Sequence, residues 1–343
     1  MMRICTVVVH HKGKNLLDEC LRSVLASEEV EVSAVVVANA CQESLPEFVS
    51  QESRLHVVES EIALGFSAAN NLGVRHVREL GFEPDFFLFL NNDARVEPRT
   101  LGRLVDAAEK SPRCGIVGPR LMIWGGTDVL NSLGLNMTRV GEAWDEGIGI
   151  ALEDYGELPP RRSVLAVTGA ALMIRSGLLA ELDGWEDLYE YYYEDIDLCL
   201  RARSKGWDVV ADPHAAVWHA VSATAARASD FKLLLTWRNR LLLMAIHWPT
   251  SLLARTAPRL LWAEVRLLVA RCIHRSFRDA GLQVRAWLRF LKIVPAALKL
   301  RRRWCKEASW EAFLWPPGSV PVITLPELPP HAQVQSAAGE VPE

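Results

Sequence analysis

The sequence predicts an α/β fold, a largely parallel sheet covered on both faces by helices, followed by a basic helical segment and a Pro-rich tail. Three observations carry the prediction. Short, continuous apolar runs alternate with segments of helical period through the first third of the chain, the pattern of strands buried on both faces. Half of the 343 residues are hydrophobic, enough for a sizeable core. The net charge of −4 also hides a division. Residues 1–226 hold 20 Lys/Arg against 34 Asp/Glu, residues 227–306 hold 18 against three, and the remainder carries five acids and no base. An acidic body with a basic appendage points to a catalytic unit joined to a partner-binding one.

Taken in order, residues 3–9 (RICTVVV) read as a strand, 15–27 as a helix, 33–38 (SAVVVA) and 55–60 (LHVVES) as strands, 67–80 as a helix and 85–90 (DFFLFL) as a strand. In such sheets ligands lie beyond the carboxyl ends of the strands, which is where Asn91-Asn92-Asp93 falls. Pro98 opens a helix over 98–112, and 115–119 is a strand. Residues 120–163, rich in glycine and polar residues, read as an irregular insertion or an antiparallel excursion. The run 164–175 is an apolar strand interrupted by Gly169. Helical spacing returns over 194–206, where Ile196, Cys199, Leu200 and Arg203 share a face, and 208–219 closes the body as a strand. No internal repeat is visible.

The segment 227–306 differs. Arg271, Arg275, Arg278, Arg285, Arg289, Lys292, Lys299 and Arg303 recur at helical period among Leu, Val, Ile and Trp, and Pro295 kinks or divides the helix. Seven of the twelve tryptophans fall between 237 and 315. A basic amphipathic helix with tryptophans either lies in the headgroup region of an anionic membrane or packs on the body with its basic face in solvent, and the run of charge favours the membrane. The apolar content of the segment argues against nucleic acid as the partner. The most apolar window, 241–254, is broken by His247 and Pro249, and falls short of the ~20 apolar residues of a spanning helix. The tail, 307–343, reads as disordered. Seven cysteines without CxxC spacing, and the absence of a signal-peptide pattern at the first residues, read as reduced thiols in the cytosol.

Several residues could carry chemistry. Asn91-Asn92-Asp93 suits an Asx turn, or a carboxylate holding a hard divalent cation. His219 and His214 follow or lie within the last strand, and a neutral imidazole there can ligate metal. His10 and His11 end the first strand. In YYYEDIDLCLR, residues 191–201, three carboxylates occupy four positions. In a helix starting at Glu194, Asp195 and Asp197 lie about 200° apart. Asp197 is spaced to pair with Arg201, while Asp195 is free to face a cleft.

Together, VVVHHKG, VVVANA, ALGFSAANNLG, FLFLNND, TGAALMIR, LDGWEDLYEYYYEDIDLCLRARSKGW and DPHAAVWH, over residues 3–222, resemble family 2 glycosyltransferases, especially a bacterial rhamnosyltransferase-like branch that builds cell-surface polysaccharide. The resemblance implies a GT-A fold, a Rossmann-like mixed sheet that binds nucleotide-diphosphate sugars. It implies Asp195 of the Glu194-Asp195 pair as general base. Asn91 and Asp93, with His219, would bind Mg²⁺ or Mn²⁺ and the donor diphosphate. His11, Asn39 and Asn71 would lie near the nucleotide, and Gly169 and Trp185 on the acceptor side. The expected activity is inverting transfer of a sugar, rhamnose among the candidates, to a polyprenyl-linked or glycan acceptor, by a peripheral protein on the cytoplasmic face of the cell membrane. Four positions depart from the family pattern: His10-His11-Lys12 for Asn-Tyr-Asn, Ala38 for an Asp, Ala63 for an Asn and Asn91 for an Asp. All fall in the nucleotide half. They motivate a second reading, a GT-A-like scaffold subunit docked on the membrane, which nucleotide-sugar binding would discriminate. A metal-dependent nucleotidyltransferase or hydrolase is a third, without the glycine-rich phosphate loop many of those use.

Overall fold

Alternate residues of the first strand face opposite sides of the sheet, and both sides are buried. In β1 (Arg3–His10), Cys5 and Val7 enter one hydrophobic cluster, and Ile4 and Val8 the other. The same holds along β2 (Glu31–Asn39) and β4 (Phe86–Leu90), which is why these strands read as continuous apolar runs. The structure, a computed structural model, describes residues 1–125, 128–220, 229–305 and 309–321. The expected boundary at 226 and most of the expected tail lie outside these residues.

Helix α1 (Lys14–Leu25) covers one face of the sheet with Leu17, Cys20, Leu21 and Val24. β3 (Leu55–Ser60) follows, then α2 (Phe66–Glu79), which covers the other face with Ala69, Val74 and Val77. A Cβ at Gly73 would stand 2.5 Å from Val7 Cγ1, so only glycine lets α2 approach β1 this closely. β5 (Ala94–Val96), α3 (Thr100–Glu109) and β6 (Cys114–Ile123) continue the chain.

The excursion is antiparallel. β7 (Leu130–Ser132) pairs with β6, and β8 (Leu135–Thr138) with β9 (Ala143–Asp145). A short turn of helix, α4 (Leu152–Tyr155), and β10 (Arg162–Ser163) lead back to the body. Of the apolar run 164–175 only β11 (Ala171–Arg175) is a strand. The upstream part is held otherwise: Arg203 donates to the carbonyls of Val164 and Leu165, and Leu135 N–H to Ala166 O. Then come α5 (Ser176–Glu181), α6 (Glu194–Ser204) and β12 (Asp208–His219).

Among the described residues the main sheet runs β10-β12-β6-β11-β4-β1-β2-β3. β4, β1, β2 and β3 are parallel, and β11 is antiparallel between β4 and β6. The sheet is therefore mixed, as the GT-A expectation requires.

Helix α7 (Asp230–His247) does not stand apart from the body. Its Leu242, Leu243, Met244 and Ile246 belong to the same cluster as Val7, Val37 and Phe89. α8 (Thr250–Ile273) and α9 (Phe277–Trp304) follow, and β13 (Leu314–Trp315) pairs with β8. Pro295 does not divide its helix. Ile293, Ala297 and Leu300 keep that stretch packed on the core, and a proline removes only one donor. The break comes at 274–276, where Arg275 has a φ of 59°. The basic stripe is thus shared by the end of α8, this link and α9. No helix among the described residues is long and apolar enough to cross a membrane.

Candidate active site

The predicted residues gather at two corners. At the first, β4 ends and the chain turns at Asn91-Asn92-Asp93 into β5, which pairs with the end of β12 so that His219 lies opposite Ala94. A register shift between Asp212 and Ala216 redirects the last part of β12 to make this possible. His219 Nε2 comes 3.3 Å from Asp93 Oδ1 and 3.2 Å from Asn91 Nδ2. Asn131, on β7, places Oδ1 2.8 Å from His219 Nδ1. With the Nδ1 proton assigned to that bond, the Nε2 lone pair takes the Asn91 side-chain N–H and also faces Asp93, a contact that a proton or a divalent cation between them satisfies. This is the arrangement in which metal-bound histidines are found. Burial pushes His219 down, but the charge and hydrogen bond of Asp93, with Asp145 beyond, lift it above its ordinary value.

A second group could hold a metal by proximity: His10, Cys41 and Glu43. Its tautomer is the reverse. Asn92 Nδ2 contacts both Lys12 O at 2.8 Å and His10 Nδ1 at 3.0 Å. The amide therefore donates to Nδ1, and the proton sits on Nε2, 3.0 Å from Glu43. With Nδ1 accepting, that ring is neutral, its pKa held down first by burial, and a proton rather than a lone pair faces Glu43, so the donor set of Asn91, Asp93 and His219 fits a divalent cation better.

The other corner is the start of α6. Asp195 Oδ2 accepts the Gly169 N–H at 3.0 Å and Oδ1 the Ile196 N–H at 2.8 Å. Burial raises Asp195 above the usual carboxylate range, and these N–H groups oppose the rise. Glu194 is 7% exposed, and its Oε2 has no hydrogen-bond partner. Burial first, and the neighbouring Asp195 charge second, push it well above the usual carboxylate range. Asp197 pairs with Arg201 at 2.6 Å, as its spacing predicts, and also with His247 Nε2 at 2.7 Å. Burial alone would raise it, but Arg201 and His247 hold it below the ordinary range.

The nucleotide and acceptor candidates are placed less directly. His11 Nδ1 lies 2.9 Å from the Asn39 carbonyl. The Asn39 side chain is spent on the backbone of Leu64, accepting at 2.8 Å and donating at 2.9 Å. Its neighbours Ala38 and Ala40 line a cavity of about 410 Å³ with Glu43, Glu59 and Glu61. Asn71 accepts the Trp185 N–H and donates to Trp185 O and Asp187, each at 2.9 Å, so it ties α2 to the acceptor-side loop. Trp185 offers no open face for a sugar. It is 3% exposed, edge-on to Phe66 and Phe89.

Asn131, Asp145, Arg238, Asn239 and His247 were not singled out from the sequence as site residues. Asp145 is lifted to about 6, by burial first, with the Asp195 charge raising it and His219 opposing. The pair Arg238-Asn239, set within the apolar run of α7, was a readable signal: buried polar groups need partners.

A family model described as glycosyltransferase-like family 2 matches residues 3–241. The chain belongs to this family. Among curated relatives, an N-acetylglucosaminyl-diphospho-decaprenol L-rhamnosyltransferase of Mycobacterium tuberculosis is 26% identical over 219 residues, 59% of this chain and 71% of that protein. A low-salt glycan biosynthesis hexosyltransferase of Haloferax volcanii is 23% identical over 266 residues, 77% and 81% of the two chains. Among solved structures, GalNAc-T7 with UDP, GalNAc and Mn²⁺ superimposes with a TM-score of 0.54 at 14% identity, over 73% of this chain and 48% of that one. The mannosyltransferase PcManGT of Pyrobaculum calidifontis, with GDP-Man and Mn²⁺, gives 0.50 at 14%, over 84% and 86%. These likenesses establish the GT-A fold of the family 2 body.

Proposed function

We propose that this family 2 glycosyltransferase moves a sugar from a nucleoside-diphosphate donor to a hydroxyl of a lipid-linked acceptor, with inversion, in cell-surface glycan synthesis. One observation carries the reading: Asp195 accepts the Gly169 N–H, and the next residue, Ala170, accepts the Asn91 N–H at 3.0 Å, which joins this carboxylate to the Asp93–His219 corner. In the reaction Asp195 takes the proton of the acceptor hydroxyl as its oxygen attacks the anomeric carbon. The bond from that carbon to the diphosphate oxygen breaks, and the electron pair leaves with the nucleoside diphosphate. The raised pKa of Asp195 makes it a better base for this step. Asn91, Asp93 and His219 would hold Mg²⁺ or Mn²⁺, which neutralises charge on the leaving diphosphate.

Similarity to a rhamnosyltransferase named for a decaprenol-linked substrate supports rhamnose as the sugar and a polyprenyl diphosphate as the acceptor anchor. Such an acceptor puts the enzyme at the cytoplasmic face of a membrane. The exposed face of α9 suits that place: Phe277, Val284, Leu288, Leu291 and Leu298 are 37–65% exposed. Each is followed by a base, Arg278, Arg285, Arg289, Lys292 and Lys299, so an apolar and a basic ribbon run side by side.

The test is Asp195→Asn. Transfer should be abolished, read as nucleoside-diphosphate release from a panel of UDP-, GDP- and dTDP-sugars, with nucleotide binding by calorimetry intact. Turnover retained by the variant would sink the base assignment.

A further inference from the structure

The loop that aims Asp195 is strained. Glu190, Tyr192 and Tyr193 have φ of 62°, 69° and 73°, the left-handed region, where a non-glycine Cβ crowds the following carbonyl oxygen. Tyr193 is the residue from which α6 starts. Reversed backbone of this kind turns its carbonyls away from any ladder, and buried carbonyls need donors.

Two adjacent residues of α7 supply them. Asn239, fully buried, donates from Nδ2 toward the carbonyls of Tyr189, Tyr191 and Tyr192, each at 2.8 Å. Arg238, 4% exposed, donates Nη2 to Leu188 O and Tyr189 O at 2.9 Å, and its Nη1 meets the Glu190 carboxylate. The loop is closed from the other side by Gly65, where a Cβ would stand 2.9 Å from the Glu190 backbone.

We propose that Arg238 and Asn239 are positioning residues for the catalytic base. They hold residues 188–193 in the reversed conformation that starts α6 at Glu194, and so set the Asp195 carboxylate on the Gly169 N–H. The proposal rests on the reading of Asp195 as base and extends it to a helix some forty residues further along the chain.

The experiment uses the full chain carrying Asn239→Ala or Arg238→Lys, with Arg175→Lys as a matched control. Arg175 also donates to buried carbonyls, of Cys114 and Ala108 at 2.9 and 2.8 Å. It lies at the far end of β11, opposite Phe86 at the start of β4. Three quantities are measured: Tm, amide exchange at Gly169, and kcat with donor KM for whichever UDP-, GDP- or dTDP-sugar is turned over with Mn²⁺. For Asn239→Ala the expected result is a kcat loss of about 100-fold, the size of effect that a misplacement of about 1 Å produces. Donor KM should stay within about threefold, and Gly169 exchange should be faster. Arg238→Lys keeps the charge but not the fork, and should fall between this and wild type. The control should lower Tm and leave kcat and Gly169 protection unchanged. The proposal is overturned if Gly169 protection is unaltered in both α7 variants, or if kcat falls no further than in the control at equal loss of Tm. If Asn239→Ala does not fold, Arg238→Lys decides. Because Gly169 exchange reads the contact without turnover, failure of the base reading by Asp195→Asn leaves the clamp measurable.

Discussion

Single protons separate the residues that can act from those that cannot. His219 and His10 both face carboxylates at about 3 Å, yet Asn131 accepts from one ring and Asn92 donates to the other. Only the first leaves a lone pair turned to its carboxylate. Asn131→Leu should therefore weaken Mn²⁺ binding in the presence of UDP by about 10–100-fold, measured by calorimetry. Unchanged affinity would remove His219 from the metal site. Asp195 makes a second expectation. Its pKa is raised by burial, and a base works only when deprotonated. The kcat should fall as pH is lowered through an apparent pKa above the ordinary carboxylate value of about 3.9. A profile flat down to that value would contradict the assignment. At this scale much was legible. Asp195 and Gly169, expected from pattern, lie together, as do Asp93, Asn91 and His219. Asn131 and Asp145 were not, because they come from a stretch with weak period, and sequence spacing says nothing about a partner 88 residues away.

Among elements, α6 and α7 are stapled by one carboxylate. Asp197 was legible as the i,i+4 partner of Arg201. Its second partner, His247, comes 50 residues later and was not. Both side chains facing Asp197 are almost fully buried. Asp197→Asn strands the Arg201 guanidinium in the core, so a loss of about 3–5 kcal/mol is expected, measured by denaturant unfolding. The pH sign follows from the depressed pKa of Asp197. A carboxylate lowered in the folded state contributes stability that is present above its unfolded value, about 3.9, and lost as pH falls through the folded one. Tm should drop more steeply below about pH 4 in wild type than in Asp197→Asn; equal slopes would show that the pair does not contribute. The parallel strands and the first three helices were readable because each obeys one period. The run 164–175 misled because it is apolar throughout. What ends the strand is Arg203 taking its carbonyls, and that side chain had been read only as part of a helical face.

For the whole molecule, the division of charge at 226/227 was plain in the sequence, but charge does not mark where the core ends. α7 contributes Leu242, Leu243 and Ile246 to the core, Arg238 and Asn239 to the support of the 188–193 loop, and His247 to Asp197. A chain ending near 226 should thus fail to fold rather than yield a soluble catalytic body, and membrane docking has to be tested by substitution on the outer face of α9. Docking there has two components, since the apolar and basic ribbons are adjacent. Arg285→Glu with Arg289→Glu reverses two exposed charges. At about 1 kcal/mol for each charge near an anionic surface, the pair should cost at least about 2 kcal/mol of binding. It should also abolish flotation with phosphatidylglycerol vesicles at low salt. Leu288→Ser with Leu291→Ser removes apolar side chains 54% and 61% exposed, and should weaken flotation with neutral as well as anionic vesicles. Neither pair is buried, so Tm should stay at the wild-type value and report that the fold is intact. If both pairs float like wild type, the ribbons serve another partner. A doubled mass in solution that Leu288→Ser with Leu291→Ser reduces to a monomer would name that partner as a second copy of the chain.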